Sequence, residues 1–154
     1  MRAPKEDVIS RLNTLIEACK DREQGYRTAA EGARNQDLKA LLHSYEGQSA
    51  GFVADLQAEV KRLGGEPAQT GSLAGWLTRG WQHLAKAVSG GDDRAVIVGC
   101  ERGEEAARAA YEAALADPLP DEVRAVAERQ YAAVKSGHER LRALEAVAAG
   151  AAGA

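Results

Sequence analysis

The spacing of helix-breaking residues constrains the fold of this sequence more than any other feature. Four segments of the 154-residue chain repeat apolar positions every three or four residues, which is the pattern of a helix with one buried face. Short breaks rich in Asn, Asp, Gly and Pro separate the first segment from the second and the third from the fourth, whereas about 30 residues separate the second from the third. The predicted helices cover about residues 5–34, 37–63, 93–116 and 121–147.

Two helical hairpins joined by one long crossover have the topology of a ferritin-like bundle, not that of a simple up-down-up-down bundle. The crossover contains a short amphipathic stretch, for which we predict an extra helix that packs across the bundle with Trp76 and Trp81 as packing anchors. The sequence therefore predicts an all-α, ferritin-like four-helix bundle. We assign residues 1–147 to this single domain and residues 148–154 to an Ala/Gly-rich C-terminal tail.

Composition excludes some kinds of binding partner and some cellular locations. The formal net charge of −3 argues against a general nucleic-acid binder, which normally has a basic face. No apolar run approaches the roughly 20 residues that span a bilayer, so we predict no membrane segment. The two cysteines, Cys19 and Cys100, are too few to cross-link a secreted fold and are interpreted as reduced, buried thiols of a cytoplasmic protein, with a redox pair as the alternative.

An internal repeat relates the first and third predicted helices. At an offset of 81 residues, four positions match in residue type and in helical register, which suggests that a pseudo-two-fold axis relates the two hairpins. The matching pairs are Cys19 with Cys100, Glu23 with Glu104, Arg27 with Arg108, and Glu31 with Glu112.

Several short motifs occur in an order that resembles the DUF2383 family of four-helix-bundle proteins. They are the segments Cys19 to Glu31, Leu63 to Pro67, Gly71 to Gly75, Arg79 to Trp81 and Cys100 to Glu105, followed by Tyr111. The resemblance extends over roughly residues 8–144, and it implies a ferritin-like bundle in a bacterial protein. It implies no reaction, because the family is itself of unknown function.

A di-metal centre of the ferritin-like kind takes one Glu from each of two helices and a Glu-x-x-His motif from each of the other two. Glu23 and Glu104 occupy matching gaps in the apolar stripes of the first and third helices, and Glu46 on the second helix is level with Glu23. These three carboxylates are the candidate ligands for Fe or Mn. No Glu-x-x-His occurs in the chain, so half of the usual ligand set is missing.

The alternative interpretation of the same carboxylates is structural. Arg27 and Arg108 lie four residues after Glu23 and Glu104, so that each could form an ion pair within its own helix. No catalytic constellation and no organic cofactor motif is identified, and the leading prediction is a non-enzymatic structural or interaction module, with a stress-related role as a family-level expectation. The alternative function is metal-dependent redox chemistry or metal storage. A third prediction is a homo-oligomer that associates through Ala-rich helix faces.

Overall fold

The computed structural model describes residues 4–69 and 80–153, so the predicted packing of Trp76 lies outside the described residues. The described residues form helices and connecting turns and contain no strand. We number the helices in chain order. They are α1 (Lys5–Gly32), α2 (Gln36–Arg62), α3 (Gln82–Gly90), α4 (Asp93–Leu115) and α5 (Asp121–Gly153). The predicted all-α class is therefore confirmed.

The helices pack as two antiparallel hairpins with a crossover helix beside them. α1 packs along α2, and α4 packs along α5. The hairpins meet mainly through α1 and α4, while α2 and α5 touch over a smaller area. The short helix α3 lies against α1 and α4, as the amphipathic pattern of the crossover predicted. Among the helices in the described ranges, none is both long enough and apolar enough to span a membrane.

Short polar side chains fix the helix ends near the junction of the two hairpins. The side chain of Asn35 caps α2 and accepts a hydrogen bond of 3.0 Å from the backbone N–H of Leu38. The carboxylate of Asp93 accepts hydrogen bonds from the backbone N–H groups of Arg34 and Asn35, at 2.7 and 2.9 Å. Because Asp93 begins α4, these bonds connect the turn of the first hairpin to the start of the second.

The last helix is longer than the hydrophobic pattern indicated. α5 continues to Gly153, through most of the segment, residues 148–154, that is predicted as an Ala/Gly-rich tail. The Ala residues in this segment have the highest intrinsic helix propensity, so a helix that has already formed is extended by them without an amphipathic face. α5 is 33 residues long and its hairpin partner α4 is 23, so the end of α5 extends past the start of α4.

The interior consists of two apolar clusters separated by polar or small residues. One cluster contains Leu12, Leu56 and Tyr111, and the other contains Leu42, Ile97 and Leu141, among others. Each long helix contributes one residue between the clusters, and we call these four residues the polar layer. The polar layer consists of Arg22 on α1, Ser49 on α2, Glu104 on α4 and Gly137 on α5.

The predicted packing role of Trp81 is confirmed, and two glycines make room for its ring. Trp81 is 1% exposed, and its indole contacts Gly25 on α1 and Gly103 on α4 so closely that a Cβ atom at either position would overlap the ring. The crossover is thus anchored in the groove between the two hairpins. This close approach explains why both helices carry a glycine at these interior positions in spite of its cost to helix stability.

Candidate functional site

The centre of the polar layer is an ion pair between Arg22 and Glu104. The guanidinium Nε donates to Glu104 Oε1 at 2.7 Å, and Nη2 donates to Oε2 at 3.0 Å, so the pair is bidentate. Both side chains are fully buried. A bidentate Arg–carboxylate pair of this geometry is among the strongest hydrogen-bonded contacts in proteins, and burial makes each group dependent on the other.

The remaining donors of Arg22 are satisfied by the second helix. Nη1 donates to Ser49 Oγ at 2.8 Å, and Nη2 also donates to Gln48 Oε1 at 2.8 Å. Ser49 in turn donates to the backbone carbonyl of Tyr45 at 2.8 Å. The guanidinium therefore connects α1 to both α2 and α4 and leaves little of its hydrogen-bonding capacity unused.

Aromatic rings surround the same guanidinium. The rings of Tyr26, Tyr45 and Phe52 have centroids 5.1, 5.7 and 5.6 Å from the guanidinium carbon of Arg22, within the range of cation–π attraction. These rings replace part of the hydration that the charge loses on burial. They also exclude water from the Arg22–Glu104 pair.

The electrostatic consequences appear in the pKa values of the neighbouring groups. Burial alone would lower the pKa of Arg22, but the charge of Glu104, supported by their hydrogen bond, holds it above its ordinary value. Burial, together with the charge of Glu104, raises the pKa of Tyr26 well above 10. The Tyr26 hydroxyl has no hydrogen bond of good geometry to any described residue. These groups keep a fixed protonation state at neutral pH.

A short hydrogen-bond chain runs beside the polar layer. Cys19 Sγ lies 3.0 Å from the Tyr111 hydroxyl, which donates to Gln130 Oε1 at 2.6 Å. Gln130 Nε2 donates to the backbone carbonyl of Phe52 at 3.3 Å. Because Tyr111 uses its proton for Gln130, the Cys19 thiol is the donor to Tyr111. Burial raises the pKa of Cys19 to about 11, so this thiol is protonated and unreactive at neutral pH.

The second cysteine lies apart from this chain. Cys100 belongs to the other apolar cluster, and burial raises its pKa above the ordinary value for a thiol. Both cysteines are free and buried. The structure therefore places them as small interior side chains in two different clusters, in agreement with the first of the two interpretations drawn from the sequence.

Two of the three predicted metal ligands, Glu23 and Glu46, form ion pairs with a different arginine, Arg27. Arg27 contacts Glu46 at 2.8 Å and Glu23 at 3.3 Å, and Glu46 also contacts His43 at 3.0 Å. The side chains of Glu23 and Glu46 are 27% and 20% exposed, so neither faces the interior as Glu104 does. The hydrogen bond from Arg27 is the main cause that lowers the pKa of Glu46. The third predicted ligand, Glu104, forms its ion pair with Arg22.

The internal repeat therefore correctly predicts that Cys19 and Cys100 occupy equivalent buried positions. It does not predict the positions of Glu23 and Glu104, because only Glu104 is buried. On α1 the buried positions include 19, 22 and 26, so Arg22 and not Glu23 points inward. On α4 the predicted pair of Glu104 with Arg108 is replaced by pairs of Glu104 with Arg22 and of Arg108 with Glu112, the latter at 3.4 Å. The spacing of three and four from Cys19 to Arg22 to Tyr26 was the available signal. Charged residues are seldom fully buried, however, so residue type alone favours a surface position for Arg22.

The donor set at the centre of the bundle does not fit a ferritin-type di-metal centre. Glu104 already binds a guanidinium with both oxygens, and a metal ion there would have to displace Arg22 from its partners on two helices. Elsewhere, His138 on α5 is 3.6 Å from Glu105 with its Nε2 buried and without a hydrogen bond. Within residues 4–69 and 80–153, no three His, Cys, Asp or Glu side chains are grouped closely enough to hold a metal ion.

Comparison with known proteins is consistent with this architecture. A family model described as a domain of unknown function, DUF2383, matches residues 7–117, which is more than half of the chain. The chain belongs to the DUF2383 family. The match covers both helices of the first hairpin, the crossover and α4, and it confirms the resemblance found in the sequence motifs.

A solved structure that contains a ferritin-like domain has a fold similar to that of this chain. The chain is similar to a two-domain protein from Anabaena variabilis that contains DJ-1/ThiJ/PfpI-like and ferritin-like domains, with 16% sequence identity and a TM-score of 0.78. The similarity covers 97% of this chain but 39% of that protein. At this identity the similarity establishes the ferritin-like fold and no activity. None of the curated proteins searched matches the chain.

Proposed function

We propose that this DUF2383 protein is a non-enzymatic scaffold, in which the Arg22–Glu104 pair fixes how the helices of a ferritin-like bundle pack, at the place where related folds use metal ligands. The fully buried, bidentate geometry of that pair is the observation that carries the proposal. Arg22 brings a permanent positive charge into the interior, because a guanidinium is not deprotonated in proteins. A carboxylate neutralised in this way needs no metal ion to stabilise it.

The surroundings of the pair support a structural role. Ser49 and Gln48 complete the hydrogen bonds of Arg22, and position 137 has no room for a ligating side chain, since a Cβ atom there would be 2.7 Å from Glu104 Oε2. The buried Cys19 thiol is protonated, so it offers no nucleophile at neutral pH. Each of these features favours a fixed interior over a reactive one.

The scaffold proposal includes association with a second copy through helix faces. Val147, near the end of α5, has a side chain that is 69% exposed and lies beside a groove formed with Leu38, Leu41 and Leu144. A dimer would remove this apolar surface from water. Light scattering at several protein concentrations measures the mass in solution, and a strict monomer at every concentration would contradict this part of the proposal.

Metal analysis of the purified protein tests the central claim. We expect that incubation with Fe(II) or Mn(II), followed by removal of free metal, leaves far less than one equivalent bound. We also expect the same melting temperature with and without a chelator. The variants to compare are Glu104→Gln, Glu23→Gln and Glu46→Gln, with Glu31→Gln as a control, because Glu31 is an exposed carboxylate on α1.

One result would overturn the scaffold proposal in favour of the metal-binding alternative. Stoichiometric metal that is retained by wild type and by Glu31→Gln, but lost from the other three variants, would mean that the carboxylates act together as ligands. Unchanged, low metal content in all four variants and the wild type supports the scaffold.

A further inference from the structure

The groove between the crossover helix and the second hairpin is lined by more basic than acidic side chains, although the chain as a whole is acidic. It lies between α3 and α4, reaches α5 at one end and has a volume of about 730 Å³. The groove is open and not an enclosed cavity, and it has room for a small molecule that stays partly exposed to water. Four basic side chains line it: His83 and Lys86 from α3, and Arg94 and Arg102 from α4. The whole chain, by contrast, has a formal net charge of −3.

The two carboxylates in the same lining already have partners. Asp92 caps α4 by accepting a hydrogen bond of 3.0 Å from the backbone N–H of Arg94. Glu145 lies 3.9 Å from the guanidinium of Arg94. Within the described parts of the chain, Lys86 and Arg102 form no ion pair, and both are exposed. Their charges are therefore available to a ligand.

The floor of the groove is apolar and made of small residues. Ala87, Ala95, Val98 and Gly99 line it, and Gly99 lies so close to the backbone of α3 that a Cβ atom there would be 3.0 Å from Leu84 Cα. Small side chains leave a shallow, flat surface between the two helices. Such a surface suits a flat apolar body better than a branched one.

We propose that this groove binds a small organic anion that has a carboxylate, sulfonate or phosphate head and a flat apolar body. The exposed charges of Lys86 and Arg102 attract the head and can donate hydrogen bonds to its oxygens. The body lies on the floor formed by Ala87, Ala95, Val98 and Gly99. The charge complementarity of the rim and the apolar character of the floor together select this class of ligand over inorganic anions and over neutral apolar molecules.

Fluorescence titration with 8-anilinonaphthalene-1-sulfonate, an anion with a flat naphthalene ring, tests the proposal on the folded protein. We expect saturable binding with one equivalent per chain, weakened by added salt because the charges are exposed. The double variant Lys86→Glu/Arg102→Glu should bind at least about tenfold more weakly, since attraction is replaced by repulsion. Ala95→Phe, which fills the floor without a change of charge, should weaken binding to a similar degree.

Matched controls separate this site from general dye binding. Lys61→Glu makes the same kind of charge change at an exposed position of α2, outside the groove, and should leave the affinity unchanged. N-Phenyl-1-naphthylamine, a neutral molecule of similar shape, should bind much more weakly than the sulfonate. Amide chemical shifts of Gly99 and Ala87 should move on titration, which locates the dye even if Ala95→Phe fails to fold.

Two outcomes would overturn the proposal. One is equal affinity of the dye for wild type, Lys61→Glu and the double variant, because charge in the groove would then play no part. The other is a set of chemical-shift changes confined to residues outside the groove, such as those around Val147.

Discussion

Two arginine–glutamate clusters lie little more than one turn apart on α1, and they differ in almost every physical respect. Arg22 and Glu104 are both fully buried, join two hairpins and have their hydrogen bonds completed by α2. Arg27, by contrast, has a side chain that is 45% exposed, and its partners Glu23 and Glu46 lie within its own hairpin. Identical chemistry therefore occurs once in the interior and once at the surface of the same helix.

The comparison shows that burial decides how an ion pair affects the free energy of unfolding. At the surface, water and salt screen the attraction, and such pairs contribute about 0–1 kcal/mol. In the interior, the pair roughly repays the desolvation of its two charges, but removal of one partner leaves the other charge buried and unpaired. The interior pair thus specifies which helices pack together more than it adds to net stability, and the following experiments test this contrast.

The largest effect is expected from Arg22→Ala. The substitution leaves Glu104 buried without its guanidinium, and we expect the free energy of unfolding to fall by about 3–5 kcal/mol. Urea denaturation monitored by circular dichroism measures this change. A loss below about 1 kcal/mol would mean that the interior pair behaves like the surface one.

The double variant Arg22→Met/Glu104→Leu serves as the control for this experiment. It removes both charges and keeps much of the volume, so that it should recover most of the stability lost in Arg22→Ala. If the double variant were as unstable as Arg22→Ala, the cost would come from lost packing and not from an unpaired charge.

The second-largest effect on stability is expected at Gly137, the member of the polar layer on α5. Gly137→Ala places a Cβ atom 2.7 Å from Glu104 Oε2, which forces the carboxylate to shift away from Arg22. We expect a loss of about 1–3 kcal/mol, typical of added volume in a packed interior. The matched control is Gly47→Ala on α2, where the added Cβ atom meets no described residue beyond its own stretch of helix within 4 Å, and which should gain about 0.5–1 kcal/mol through helix propensity. Equal effects of the two substitutions would contradict the close fit at Gly137.

Another buried carboxylate, Glu101 on α4, lacks the guanidinium that Glu104 has. Glu101 is 7% exposed, and burial, reinforced by its hydrogen bond to Glu145 and by the charges of Glu145 and Glu105, raises its pKa to about 7 despite the opposing charge of Arg142. Because the folded state binds this proton more tightly than the unfolded state, Glu101 stabilises the protein most at acidic pH. This stabilisation is lost as the pH rises from about 5 through 7.

The pH dependence can be isolated by comparison with Glu101→Gln. We expect wild type to lose about 1–2 kcal/mol of stability relative to Glu101→Gln between about pH 5 and pH 8, as measured by urea denaturation at each pH. The difference between the two profiles reports Glu101 together with its hydrogen-bonded neighbour Glu145, while titrating groups that do not interact with Glu101 are shared by the two proteins and largely cancel. Parallel pH profiles of wild type and the variant would contradict the raised pKa.

The smallest effect is expected at the surface cluster. Arg27→Ala removes the contacts with Glu23 and Glu46 but leaves both carboxylates partly hydrated, so that the free energy of unfolding should change by no more than about 1 kcal/mol. The difference should shrink further at high salt, because screening weakens exposed pairs. A larger loss that persists in high salt would remove the contrast between the two clusters.

The architecture was predictable from the sequence because it depends on periodic patterns and on breaks. The apolar stripes identified the four long helices, and the long crossover distinguished two hairpins from a simple bundle. The candidate ligands were less predictable, since adjacent residues on a helix are about 100° apart and a shift of one position exchanges Arg22 for Glu23. The partner of Glu104 lies 82 positions away, on another helix, and no local spacing could identify it.

Trp81 has a consequence for how assembly of this molecule can be observed. Its ring is enclosed between Gly25 of the first hairpin and Gly103 of the second, so the ring loses contact with water only when the hairpins have come together. Helical hairpins form from local contacts, whereas joining them requires contacts between distant parts of the chain, which are slower to form. In a Trp76→Phe background, the fluorescence of Trp81 would therefore follow the joining of the hairpins in time, separately from the helix formation that circular dichroism records.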